Sequence, residues 1–424
     1  MKSARFSQWW AMSFGLGFIF FCFNSPLPAQ SPQETPPNFK IAFIGDQGLG
    51  PNARAVLKLI QSEGAQAVVH SGDFDYNDNP AAWDAQINNV LGADFPYFAS
   101  VGNHDEAKWR GANGYQQQLK NRLNRLGITW DGDLGVKSAL RYKGLFLVLL
   151  GAGTLGCGHD AYIMEQLAAD TSLWRICSWH KDMRLMQVGG KEDETGWEVY
   201  EEARKGGAII ATAHEHSYSR THLLSSIRNQ TVASRSDTLI ITNGKTFVFV
   251  SGLGGESIRN QELSGDWWAS IYTSNQGANY GALFGTFNVN GVPNLATFYF
   301  KDLSGKIADQ FVVISQVKPD TSLARRLAGY LPAGFVLGQN FPNPFNASTI
   351  IHFRLSQPGH AQLTIFDNLG QKVATLFDGD MEAGERALLW NGCTDAGDNV
   401  GSGAYWYRLE SGGQAQTRKF LFLK

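Results

Sequence analysis

The apolar run Ile41-Ala42-Phe43-Ile44 stops at Gly45-Asp46, and the same unit returns twice. Ala67-Val68-Val69-His70 ends in Ser71-Gly72-Asp73, and the run 95–101 ends in Gly102-Asn103-His104. Short unbroken apolar runs that end in turn residues predict buried strands. Helical spacing fills the intervals at 52–62 and 80–91. Strand, loop, helix, repeated, predicts an α/β layered fold with helices on the sheet faces. In such folds functional side chains sit in the loops after the carboxyl ends of strands, and each of these polar strings occupies that place. The middle of the chain repeats the logic, with a strand at 145–151, a helix at 161–169, a strand at 174–178 leading into His180, and a strand at 208–212 leading into Ala213-His214. From about Thr238 the pattern changes to strands and turns, at 246–250, 283–289, 296–300 and 310–314, which are expected to complete a second sheet. The first domain therefore spans residues 39–316.

Composition limits the partners. The chain has 424 residues, room for two domains and a large core, with 43% apolar and 17% charged residues. A formal net charge of −2 gives no basic field to attract nucleic acid or an anionic membrane surface. A negatively charged substrate must be held by local charge, such as metals.

Five strings supply that chemistry in order: Gly45-Asp46-Gln47-Gly48, Gly72-Asp73-Phe74-Asp75-Tyr76, Gly102-Asn103-His104-Asp105, Trp179-His180 and Ala213-His214-Glu215-His216. Each has a plain structural reading alone. Asp46 and Asp73 suit turns or helix caps, Asn103 a turn, His104 a loop, and His214 with His216 alternating strand positions. Those readings fail jointly, because every one of these residues falls at a strand end that one sheet would gather to one edge. Imidazole, carboxylate and phenolate suit iron, zinc or manganese, whereas calcium takes all-oxygen ligands. Paired metals about 3.5–4 Å apart activate a water and stabilise the attacking and leaving oxygens of an in-line displacement.

With these motifs the chain resembles the calcineurin-like metallophosphoesterase superfamily and, within it, the purple acid phosphatases. Most of that superfamily opens with Asp-x-His; here the first string lacks that His and the second ends in Tyr76, as in the purple branch. The resemblance spans about Lys40 to Gln316 and implies a four-layer αββα sandwich with a dimetal site at the sheet edge. It implies that Asp46, Tyr76 and His216 bind a first metal, normally ferric iron, and that Asp73 bridges. It implies Asn103, His180 and His214 as ligands of a second metal, which is iron, zinc or manganese. His104 is implied to contact the phosphate and help protonate the leaving group. Two positions depart from the pattern. Ala213 stands where the family has Gly, which strains the loop only if that position needs positive φ. The stretch Lys181-Asp182-Met183-Arg184 lacks the usual Pro-containing loop that shapes the substrate pocket. Lys181, Arg184 and Lys191 are candidates to touch the phosphate, or solvated surface residues.

A different unit follows a linker at 317–336, itself carrying a weak helical piece at 323–327. Alternating runs at 349–355, 361–366, 405–409 and 419–423, separated by Gly, Pro, Asn and Asp clusters, predict a small immunoglobulin-like β-sandwich over 337–424. Asn340-Phe341-Pro342-Asn343-Pro344-Phe345-Asn346, Asp367-Asn368-Leu369-Gly370, Gly401-Ser402-Gly403-Ala404-Tyr405 and Lys419-Phe420-Leu421-Phe422-Leu423-Lys424 resemble the sorting domain of proteins exported by the type IX secretion system. That likeness implies a partner, the secretion machinery, and no catalytic part; the alternative is a generic adhesion module.

At the other end, Lys2 and Arg5 precede an apolar run at 9–23 and the small-residue site Leu27-Pro28-Ala29, which reads as a cleaved signal peptide at 1–29. The run is shorter than the roughly 20 residues a membrane span needs, and bulky Phe20 and Phe21 before Cys22 argue against a lipid anchor. The expected location is the cell surface or outside, by way of the periplasm. Cys157 and Cys177 are left to pair or to stay as buried thiols. Three functions stay open: a secreted phosphomonoesterase, a phosphodiesterase or nucleotidase with the same site, and a cell-surface binding protein with a vestigial metal site.

Overall fold

The computed structural model describes residues 34–319, 335–346 and 348–423. The expected signal peptide and most of the expected linker, with its helical piece, lie outside the described residues.

Parallel strands Phe39–Ile44, Val68–His70 and Tyr97–Ala99 lie side by side, with Ile44 opposite His70 and His70 opposite Ala99. Their continuous apolar sequence reflects burial on both faces. The intervening helices form for local reasons. Pro51 opens Pro51–Ser62, which buries Ala53, Val56, Leu57 and Ile60 at helical spacing. In Pro80–Val90, the Asn79 side chain accepts the Ala82 N–H at 3.1 Å.

The first sheet has seven strands, in the order 238–241, 307–315, 295–302, 281–287, 39–44, 68–70, 97–99. The second has eight, in the order 268–272, 218–221, 248–251, 209–212, 174–178, 145–150, 137–142, 131–133. The expectation that the late strands complete a second sheet is thus corrected. Gly281–Phe287 pairs antiparallel with Phe39–Ile44 and extends the first sheet, followed by Leu295–Asp302 and Ile307–Ser315. Of the late strands foreseen, Val248–Ser251 alone joins the second sheet, parallel to Ile209–Thr212. Alternation identifies a strand, but carries nothing about its partner.

One continuous core joins the two sheets, through residues such as Phe43, Ile176, Ile209, Phe249 and Phe298. Helices 51–62, 80–90 and 115–125 pack on the first sheet, and His159–Ala169 and Trp197–Lys205 cover the second through a separate core that includes Val148, Ile163, Tyr200 and Ile210. The layers are therefore the four expected, αββα. Cys157 and Cys177 are free thiols. Among the described residues no helix is long and apolar enough to cross a membrane.

The C-terminal unit is a sandwich of three strands (335–337, 349–355, 384–390) on four (372–381, 359–366, 403–411, 414–422). Its core contains Ile351, Leu363, Trp390, Tyr407 and Phe420. Phe345, from the Asn- and Pro-rich string, is the buried anchor of that segment, edge-on to Trp390 and tilted against Phe420 and Phe422, whereas Phe341 is 70% exposed.

Candidate metal centre

The two sheets bring their carboxyl ends to one edge. Ser178 lies opposite Ala211, and Thr212 opposite Val250, so His180 and His214 leave adjacent strands. Hydrogen bonds stitch the sheets together there. Ser71 Oγ meets Ser178 Oγ at 3.0 Å, Ser100 Oγ donates to the Ser178 carbonyl at 2.9 Å, and Ser251 Oγ donates to the Phe43 carbonyl at 2.9 Å.

Two groups of donors gather at this seam. In the first, Tyr76 Oη donates to Asp46 Oδ1 at 3.0 Å and lies 3.1 Å from His216 Nε2, which is 3.4 Å from the same Asp46 oxygen. In the second, His180 Nε2 is 3.1 Å from Asp73 Oδ2 and 3.0 Å from His214 Nδ1. Ligand atoms of Asp73, His180 and His214 all lie within 4.8 Å of one another. Asn103 is half-buried, with a buried Oδ1 that has no hydrogen-bond partner. His104 is exposed; its ring centroid is 4.6 Å from that of Tyr76, and its backbone N–H donates to Asp73 Oδ1 at 2.9 Å. The structure therefore brings the sequence-predicted residues to one place.

The backbone around them is strained. Asp46, Asp73, Tyr76 and His214 have φ of 55°, 59°, 58° and 65°. Non-glycine residues in this region cost about 1–3 kcal/mol each and persist where the surroundings over-determine them. Ala213 is not at positive φ, so its departure from the family's Gly carries no backbone strain; the strain falls on His214. Close approach explains two glycines instead. A Cβ on Gly102 would stand 2.2 Å from Asp73 Oδ1, and one on Gly252 would stand 2.6 Å from Asp46 Oδ2.

The donor set fits a pair of metal ions. Asp46 Oδ2 and Asn103 Oδ1 are buried acceptors without partners, each leaving about 1–3 kcal/mol of desolvation unrepaid. A cation beside each would satisfy them. The protonation pattern agrees. Burial disfavours charge on His180, yet the charge and hydrogen bond of Asp73 outweigh it and hold its pKa up at about 9. Asp73 is pulled below the usual carboxylate range, against burial, by His180. Burial pushes His214 down to about 4. A cation held beside Asp73 would take the place of that positive charge on His180.

Other residues hold these donors, and their roles were not foreseen. Asp105 accepts the backbone N–H groups of Gly102, Asp73 and Phe74 at 2.7, 2.9 and 2.8 Å, tying two loops together. His180 Nδ1 meets the Ser71 carbonyl at 2.8 Å, and His216 Nδ1 contacts Ser257 Oγ. His214 Nε2 lies 2.7 Å from Glu194 Oε2. Asp105 lies within a string already singled out, but Ser257 and Glu194 are far from the strings in sequence and carry no local signal. Of the basic residues, Lys181 pairs with Glu194 at 3.1 Å and Arg184 turns to Glu192 at 3.1 Å, while Lys191 is half-buried.

Comparison with known families bears on the fold that carries this site. Residues 39–218 match the calcineurin-like phosphoesterase family and residues 340–414 the FlgD Ig-like domain. The chain thus carries a calcineurin-like phosphoesterase domain followed by an Ig-like domain. A purple acid phosphatase from seeds of yellow lupin (Lupinus luteus) shares the fold, at 16% identity and a TM-score of 0.50, over 67% of this chain and 55% of its own. The chain therefore spans little more than half the length of that protein. PhoD aligns over 70% of this chain and 77% of its own at 12% identity, with a TM-score of 0.43. No curated protein matches the sequence.

Proposed function

We propose that the chain is a dimetal phosphoesterase that hydrolyses phosphate monoesters in the manner of purple acid phosphatases. One observation carries the reading: two donor groups, Asp46–Tyr76–His216 and Asp73–His180–His214, assembled on strained backbone where two sheets meet. Asp46, Tyr76 and His216 would hold one ion, ferric iron. Asn103, His180 and His214 would hold the other, iron, zinc or manganese, with Asp73 between them. Such a pair, when bound, neutralises phosphate charge and lowers the pKa of a coordinated water to about 7, against 15.7 in bulk. His104 stands at the exposed rim, where its imidazole can hydrogen-bond a phosphate oxygen and give a proton to the leaving alkoxide. The His104 backbone N–H donates to Asp73 Oδ1 at 2.9 Å, which ties the loop of the acid to that carboxylate.

A binding protein with a vestigial site fits poorly, since all seven donors are retained. The same proposal includes export, with the C-terminal unit as an address for type IX secretion. Support comes from the N-terminal apolar run and the C-terminal strings. Paired assays with an aryl phosphate monoester and the matching diester test the activity. The monoester is expected to turn over faster. A diester preference would move the chain to the phosphodiesterases, and no turnover of either by metal-loaded protein would overturn the enzyme reading.

A further inference from the structure

The two ring nitrogens of His214 have different neighbours. Nδ1 faces His180 Nε2 at 3.0 Å, on the side of Asp73, while Nε2 lies 2.7 Å from Glu194 Oε2. An ionised carboxylate only accepts, so the ring hydrogen belongs on Nε2 and the Nδ1 lone pair points to the donor cluster. Glu194 is itself held. Its other oxygen pairs with Lys181 Nζ at 3.1 Å, and its backbone N–H donates to the Asp182 carbonyl at 3.0 Å. The stretch from Lys181 to Gly196, which contains both residues, begins where the sequence leaves the family pattern. His214 also sits at φ 65°, a backbone conformation that needs support from outside its own loop.

We propose that Glu194 is a positioning residue of this centre: it takes the Nε2–H of His214, fixes the ring in the tautomer whose Nδ1 faces the metal, and is aimed by Lys181. Carboxylates that hydrogen-bond a ligating histidine orient the ring and raise its basicity. The inference rests on the dimetal reading above, and adds to it a residue from the divergent loop.

The test uses the full chain, freed of metal by chelation, with Zn2+ as the probe. Nitrogen NMR of labelled histidine reports the His214 tautomer, and competition with a chelator reports affinity. Wild-type protein should show the Nε2–H tautomer. Glu194→Ala should lose that preference and bind Zn2+ about 10–100-fold more weakly. Glu194→Gln keeps an acceptor oxygen and should retain the tautomer and most of the affinity. Lys181→Met should shift both in the direction of Glu194→Ala, by less. Glu194→Ala with the wild-type tautomer and affinity would overturn the proposal. Neither readout uses hydrolysis. A protein that shows both effects yet cleaves no phosphate ester keeps Glu194 in its role and removes the phosphoesterase reading.

Discussion

Tyr76 places its hydroxyl 3.0 Å from Oδ1 of Asp46, although the two come from different loops and both take left-handed backbone conformations. Burial, and then the carboxylate charge of Asp46, holds the phenol well above its ordinary pKa. A phenolate at this position therefore needs a cation beside it. Iron-loaded protein should absorb visible light, and Tyr76→Phe should lose that band while the other donors remain. A colourless, active zinc or manganese protein would contradict the ferric assignment and leave the phosphoesterase domain intact.

His104 is exposed while every neighbouring donor is at least partly buried, which suits a group that meets substrate. His104→Ala should retain metal and lose turnover by about 10²–10⁴-fold. The loss should shrink for esters with good leaving groups, which need no proton. Equal losses on good and poor leaving groups would contradict the acid role.

Two buried histidines outside the donor set contribute a pH dependence of stability. Burial pushes His70 down to about 3 and His159 to about 4, against about 6.5 in an unfolded chain. Between those values the unfolded chain binds more protons, so stability rises with pH there and is lost as pH falls from about 6.5 towards 4. Lowering the pH across that interval should lower the denaturant midpoint by this term, against an opposing one from Asp105 and Asp182, whose carboxyl pKa values burial raises. His159→Gln, which cannot take a charge, should flatten the slope. A pH slope that His159→Gln leaves unchanged would contradict a buried, neutral histidine there.

The proposed address predicts a separable C-terminal unit. In the native host, deletion from about Gly338 onward should trap active enzyme in the periplasm. Normal amounts of the truncated protein in the medium would replace the sorting role with the adhesion-module reading.

Much of the site was legible because the chemistry lies at the ends of short, unbroken apolar strands. Ile44, His70 and Ala99 end in register, so Asp46, Asp73 and Asn103 had to converge once those strands were parallel. The helix Tyr115–Arg125 was missed because it has few apolar positions. Its inner face relies on Leu119, Leu123 and the buried Arg122, whose guanidinium donates to the carbonyls of Gly92 and Ala93 and pairs with Asp84. Hydrogen bonds of that kind leave no periodicity to read. The sheet assignment of strands 281–287 and 295–302 failed for a related reason, since 281–287 pairs with Phe39–Ile44 and 295–302 with 281–287, in registers that local sequence does not encode. Glu194 and Ser257 escaped because they reach their histidines across 20 and 41 residues of chain.

The central claim is that the two donor groups hold two metal ions, and elemental analysis of the full chain, purified without chelator, tests it most directly. Close to two transition-metal ions per chain are expected, with a clear deficit in Asp73→Ala, which removes the shared carboxylate. Wild-type protein that contains none, and takes up none from iron, zinc or manganese, would contradict the account.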